Sequence, residues 1–454
     1  MIITMMVAFY FINLENMTIG QAQEQEQKNE NNNTNNNNKM NQGPSLQILY
    51  KSLKVELVTE GLSYPTSMEF IDNNNILVLQ KDKGTVHLVS NGILQKKPVL
   101  KVQVDTKGER GLLGITHSGK DNVFLYFTES DYDKPLRNRV YRYHWNEANL
   151  LVNRTLILDL PAAPGPYHQG GKLKIGADNY LYAVIGDLTA ADGLLQNYKD
   201  GKKPKDTSVI LRVNQDNGSP ANNNPFYNNS NNSDDDYNDK DNVESLLGRY
   251  YAYGIRNSFG IDFDPITGVL WDTENGEDGY DEVNLIKPGF NSGWAQVMGP
   301  INRNNNNNNK TDNDLVSFPG SVYADPVFSW KDQIGVTDIE FLNSSKLGDK
   351  YTNNIFVGDI NNGNLYYFEV NDRRTGLKFD DDNNNNNNDK NSSSSSSHYH
   401  RHIGLTDFVA DNNDELSAII FGTGFGRITD IETGPDGFLY ILSYEDGKIY
   451  RIVR

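Results

Sequence analysis

The stretch PYHQGGKLKIG, residues 166–176, sets one of the chain's seven histidines beside a glycine pair, just ahead of an alternating run. Imidazole titrates near neutral pH, so His168 could take a proton there. Two glycines let backbone or a ligand come close. Taken alone, His168 fits an ordinary loop residue as well. Three further stretches share its character: GERGLLGI (residues 108–115), YGIRNSFGIDFDP (253–265) and TENGEDGYDEVN (273–284), the last followed by GFNSGW (289–294). Each joins flexible glycine to a charged group at what reads as the mouth of a strand.

The elements that would hold these loops recur. One alternating strand, a short turn and a second alternating strand appear at residues 74–90, 122–145, 179–214, 268–286, 353–370 and 437–452. Period-2 alternation excludes amphipathic helices. Hairpins repeating about every 60 residues, insertions set aside, are the signature of propeller blades. The 25 tyrosines and 39 glycines suit short strands and tight turns. The expectation is an all-β, six-bladed β-propeller. Residues 53–62 (LKVELVTEGL) form a spare strand able to close the ring on the last blade and remove its exposed edge. A propeller gathers loops from every blade at one end of its channel, so a site can be assembled from stretches far apart in sequence.

Composition sets the remaining bounds. The apolar run at residues 1–12 has the length of a signal-peptide core and is too short to span a membrane. Residues 1–22 therefore read as a signal peptide or N-terminal anchor, 23–48 as an Asn/Gln-rich linker, and 49–454 as the propeller. Low-complexity inserts near 222–242, 302–314 and 380–398 bury too little apolar surface to order themselves. Within them, Asp234–Asp239 (DDDYND) resembles a calcium loop but lacks its glycine and closing glutamate. HYHRH at residues 398–402 could chelate a metal but lies in a serine-rich run. The net charge of -18 repels nucleic acid and tolerates cations. The chain has no cysteine, which excludes disulfides and a thiolate nucleophile. Sequons at Asn153, Asn228, Asn309 and Asn343 suit an exterior protein, as does the leader, and the chain is expected to be secreted or on the cell surface. No P-loop, HExxH or GxSxG is present.

In this order, with GRITDIETGPDGFLYI (residues 426–441) near the end, the loop stretches resemble the glucose/sorbosone dehydrogenase family over residues 57–452. These are soluble aldose sugar dehydrogenases that use pyrroloquinoline quinone (PQQ). The resemblance implies the same six-bladed fold and a set of roles. His168 falls on the base that takes the proton of the anomeric hydroxyl while hydride passes to the quinone. Arg256 and Asn257 fall on the Arg-Asn pair beside the quinone, where arginine stabilises developing negative charge. Glu109 and Gln169 fall near the cofactor. The backbone carbonyls of Gly276 and Glu277 fall on those that hold Ca2+, and Asp281 and Glu282 on acidic positions that serve a second calcium in some relatives. Ser292 stands where one such relative has tyrosine.

Two departures concern the cofactor's carboxylates. Where the relatives offer a lysine or arginine from the fifth blade, this chain has Asn361 or Asn362, and in the last blade Arg427 is kept while Thr429 replaces a second arginine. Each lost charge-assisted contact is worth about 1.5–3 kcal/mol, so PQQ binding is expected to be weakened. The expected activity is PQQ-dependent oxidation of an aldose to its lactone, with an external electron acceptor and with membrane contact only through the N-terminal anchor. A calcium-dependent lactonase-like hydrolase would need acidic residues from several blades, whereas here they gather in one. A carbohydrate-binding propeller that has lost its cofactor would have no reason to keep His168, Arg256 and Asn257 together.

Overall fold

The computed structural model describes residues 45–119, 121–131, 134–227, 246–303, 310–379 and 405–454. The leader, residues 234–239 and 398–402, the 380–398 insert and residues 228–242 and 304–309 of the other two inserts lie outside them. The described part is an all-β propeller. Six sheets, numbered here by chain order, begin at the innermost strands Pro65–Phe70, Leu112–Ser118, Leu173–Ile175, Ser258–Phe263, Val336–Phe341 and Ile428–Thr433. Each inner strand runs antiparallel to the next strand outward. Every expected hairpin forms, for instance Asn75–Gln80 with Thr85–Ser90 and Leu439–Ser443 with Lys448–Val453.

Middle strands carry runs of consecutive buried residues rather than strict alternation. Leu270–Glu274 is buried throughout. The reason is packing on both faces, since every sheet is sandwiched between two neighbours. Leu77 and Leu79 of the first sheet pack with Leu125 and Phe127 of the second. Phe124 and Tyr126 meet Leu181 and Ala183 of the third. Tyr182 and Val184 meet Ile261 and Leu270 of the fourth. Trp271 and Val283 meet Ile339 and Val357 of the fifth, whose Phe356 and Leu365 meet Ile431 and Ile441 of the sixth. Met68 and Val78 then pack on Tyr440 and Leu442, so the sixth sheet returns to the first.

The Lys54–Glu60 strand pairs antiparallel with Lys448–Val453 at the outer edge of the sixth sheet. Two features depart from expectation. Gln47–Ile48, placed in the linker by composition, pairs with Ile420–Thr423 on the fifth sheet, because Ile48 and Tyr50 contribute apolar side chains to that core. Residues 310–314, placed in a low-complexity insert, hold a short 3-10 turn at Asp312–Asp314, closed by Asp314 accepting from Thr311. One exchange matters for the site. Phe290–Asn291 leaves the fourth sheet and joins the third beside Tyr250–Tyr253. Residues 292–294 therefore sit between the two sheets, at the same end as His168.

Candidate active site

His168 holds a left-handed backbone, φ +59°, followed by Gly170 at +61° and Gly171 at +112°. Backbone of this kind is costly for a non-glycine residue and clusters at functional sites. Its Nδ1 lies 2.6 Å from Asp187 Oδ1. Asp187 is buried; its Oδ2 accepts from Trp294 Nε1 at 2.8 Å, and its Oδ1 also accepts the Thr189 N–H at 2.7 Å. An ionised carboxylate only accepts, so Nδ1 carries the proton and Nε2 keeps its lone pair. Gly186 makes the assembly possible, since a Cβ there would lie 2.5 Å from Arg256 O and 2.6 Å from His168 O.

Arg256 follows directly. Its N–H donates to Glu274 Oε1 at 2.6 Å, its Nη1 to Asn275 O at 3.2 Å, and its guanidinium lies 5.2 Å from the Trp294 ring centroid. Its Nε is buried without a partner. Asn257 joins two loops, donating to Glu109 and accepting from the Gly170 N–H at 3.3 Å. Glu109 also accepts the Gln169 N–H, and burial pushes its carboxyl above the ordinary range against those hydrogen bonds. Of these loops, Glu109 and Gly170 line a cavity of about 240 Å³, whereas His168, Arg256 and Asn257 are not among its lining residues. Leu113, Phe259 and Ile360 supply its apolar walls, and Lys81, Arg427 and several hydroxyls supply the polar surface.

The carbonyls of Gly276 and Glu277 converge on one point. Gln333 Nε2 occupies it, 2.6 Å from the first and 2.9 Å from the second. A pair of carbonyl oxygens aimed at a single donor is also a pair aimed at a cation.

Four expected site residues are placed otherwise. Gln169 is fully buried, with its amide spent on Gly165 O, Tyr167 O and Asn138, so it braces the histidine loop and offers no side chain to a ligand. Asp281 is consumed by four backbone donors, from Gly276 at 3.0 Å and from Ile334, Gly335 and Val336 at 2.8–3.2 Å. It bolts two loops together, with three of the four donors on Oδ2 and one on Oδ1. Glu282, one residue on, points to the opposite face as strand geometry requires. There it pairs across the strand with Glu274 and accepts from Gly299 and Asn284 inside the sheet. Asn361 is exposed, and Ile360 rather than Asn361 faces the cavity. Arg427 does line it, loosely paired to Glu445 at 3.5 Å.

Sequence reasoning passed over Asp187, Trp294, Glu274 and Lys81. The signal for Asp187 lay in VIGD, an acid at the buried end of an apolar strand. Lys81 ends such a strand too; it pairs with Asp82 and donates to Gly108 O, both at 2.9 Å.

The loops of this propeller thus bring a histidine–aspartate pair, an arginine and a carbonyl pair together. The chain belongs to the glucose / sorbosone dehydrogenase family, whose profile matches residues 62–451. It is 23% identical over 409 residues to aldose sugar dehydrogenase YliI of Escherichia coli, covering 88% of this chain and 93% of that one. It is 27% identical over 271 residues to quinoprotein glucose dehydrogenase B of Acinetobacter calcoaceticus, covering 54% and 52%. The PQQ-bound form of aldose sugar dehydrogenase from Streptomyces coelicolor superposes with a TM-score of 0.60 at 21% identity, over 90% of this chain and 98% of that one.

Proposed function

We propose that this protein oxidises an aldose at its anomeric carbon to the lactone, using PQQ held with calcium, and passes two electrons to an external acceptor. In this reading each of the six sheets is one blade, and the chain acts outside the cytoplasm. The observation that carries the reading is the Asp187–His168 pair, which Trp294 links to Arg256 by donating to Asp187 and packing under the guanidinium.

The residues fit a flat aromatic tricarboxylate. Leu113, Phe259 and Ile360 give it apolar walls, and Lys81 with Arg427 gives its carboxylates two cations. Lys81 thus offsets in part the charge missing from Asn361 and Thr429. The Gly276 and Glu277 carbonyls would hold the calcium. Bound PQQ supplies the acceptor for hydride from the anomeric carbon. His168 Nε2 takes the hydroxyl proton, and Asp187 keeps the ring in the right tautomer and balances its new charge. Arg256 sets a positive charge where oxygen becomes negative, and its packing on Trp294 and Asn275 leaves little reorganisation to be done.

Titration of the protein with PQQ and calcium, followed by dye-linked oxidation of an aldose panel, tests this. Activity should need both additions. His168→Ala should lower kcat by about 10²–10⁴-fold while leaving the quinone dissociation constant within a few-fold. Failure of the wild-type chain to bind PQQ well above micromolar concentration would falsify the cofactor assignment.

A further inference from the structure

Gln333 lies on the loop between Phe328–Trp330 of the fourth sheet and Val336–Phe341 of the fifth. Its carboxamide reaches back to a different loop and donates one nitrogen to two carbonyls, Gly276 O and Glu277 O. The contact is built in from both sides. Asp281, almost wholly buried, accepts the Gly276 N–H with one oxygen and the Ile334, Gly335 and Val336 N–H groups with the other. Tyr280 N–H also donates to Lys331 O at 3.1 Å. The carbonyl pair and the glutamine are therefore carried on loops fixed to one another.

A carboxamide has two nearly isosteric ends, an NH2 that donates and an oxygen that accepts. Facing two carbonyl oxygens, only the NH2 end is favourable. Facing a cation held by those carbonyls, only the oxygen end is. A half-turn about the last side-chain bond exchanges them without moving the backbone.

We infer that Gln333 is a carboxamide latch. It caps the carbonyl pair when no cation is present, and it turns its Oε1 toward the ion as a third protein ligand when calcium binds. The inference rests on the calcium assignment proposed above. It carries two consequences. The ligand loop stays ordered without metal, because Gln333 satisfies both carbonyls, and calcium affinity depends on the oxygen end of residue 333.

Calcium is titrated calorimetrically into the full chain, with and without saturating PQQ, for wild type, Gln333→Met and Gln333→Glu. Methionine keeps length and bulk without an oxygen; glutamate offers only oxygens. The latch predicts calcium binding about tenfold weaker for Gln333→Met and about tenfold tighter for Gln333→Glu. Thermal melts of the metal-free proteins check that both variants fold. If one does not, terbium luminescence of the other and of Gln333→Asn supplies the comparison. Tighter binding in Gln333→Met would show that the amide merely plugs the site, and unchanged binding in both would show that it does not reach the ion. Either result overturns the latch. No calcium binding by wild type under any condition overturns the underlying assignment instead, so the two failures are distinct.

Discussion

Two sets of buried carboxylates sit in this propeller, and they differ in whether a lysine is paired with them. Along the axis, Asp262, Asp338, Glu340, Asp430 and Glu432 project from the inner strands of the last three sheets, and the third sheet answers with Lys172 and Lys174. Lys172 lies 2.8 Å from Asp338 and pairs with Asp430, while Lys174 lies 3.1 Å from Asp262 and 3.5 Å from Glu340. Burial alone would raise Asp430, yet Lys172, with the Ser67 hydroxyl and Met68 N–H also donating to it, holds it below the ordinary range. In the fourth sheet, Asp272, Glu274 and Glu282 share one face with Asn284, and among the described residues no cation forms an ion pair with them, the Arg256 charge acting on Glu274 only from further off. Burial raises all three; Glu274 adds to the rise at Asp272 and Glu282, while at Glu274 itself the Arg256 N–H, the Ser292 hydroxyl and the Arg256 charge oppose it. Paired charges in a dry channel act as pins between sheets. Unpaired acids, placed where Glu274 accepts the Arg256 N–H and the Ser292 hydroxyl, are tolerated only as neutral carboxyls, and they stand directly behind the candidate site.

If pairing is what separates the sets, removing a lysine should turn the axis into the second kind. Lys172→Met leaves Asp338 and Asp430 facing each other with no cation. Breaking a buried pair in this way costs about 3–5 kcal/mol. Urea denaturation at neutral pH should show that loss, shrinking in acid as the two carboxyls take up protons. A loss below about 1 kcal/mol at neutral pH would mean that the axial pairs do not pin the sheets.

The same substitution tried in both sets sharpens the contrast. Asp430→Asn removes the partner of Lys172 and should cost about 2–4 kcal/mol. Asp272→Asn removes a buried carboxyl whose ionised form has no paired cation and should be neutral or stabilising by about 1–3 kcal/mol, since the amide can donate toward Glu274. Equal losses at the two positions would erase the distinction.

Much of the scaffold could be read before the coordinates. Hairpin positions follow from alternation and turn residues, which are local properties, and all the expected hairpins form. His168 stood out because its loop sets a histidine beside a glycine pair, whereas Arg256, Asn257 and the carbonyl pair were named only through the family resemblance of their loops. Asp187, Trp294 and Gln333 were legible in neither way. Each works across a distance in sequence, Trp294 donating to Asp187 from 107 residues away and Gln333 to Gly276 from 57. FNSGW and WKDQIG carry no local mark of that use, and VIGD marks only an acid at the end of an apolar strand without naming its partner. Asp281 and Glu282 were misread for a related reason. Adjacent acids look like one site in sequence, whereas a strand sends them to opposite faces.

The smallest effect separates the sets by pH. Burial pushes Glu274 in the fourth sheet up to about 7. On the axis, burial and then Asp262 push Glu340 up to about 7 as well, against Lys174 and the Thr433 N–H. A folded-state value above the ordinary 4.5 means that the native protein binds this proton more tightly than the unfolded chain does. The stabilisation is complete below the unfolded value and is lost as pH rises through about 7. Stability should therefore fall between about pH 5 and 8. Glutamine mimics the neutral carboxyl in both places, so Glu274→Gln should flatten that slope at little cost at pH 5. Glu340→Gln should flatten it by about as much, because the value near 7 already includes the help of Lys174, but it should cost more at pH 8, where Lys174 loses an ionised partner. Chemical denaturation across this range reads both curves. Equal losses for the two variants at pH 8 would mean that Lys174 does not set the axial acids apart.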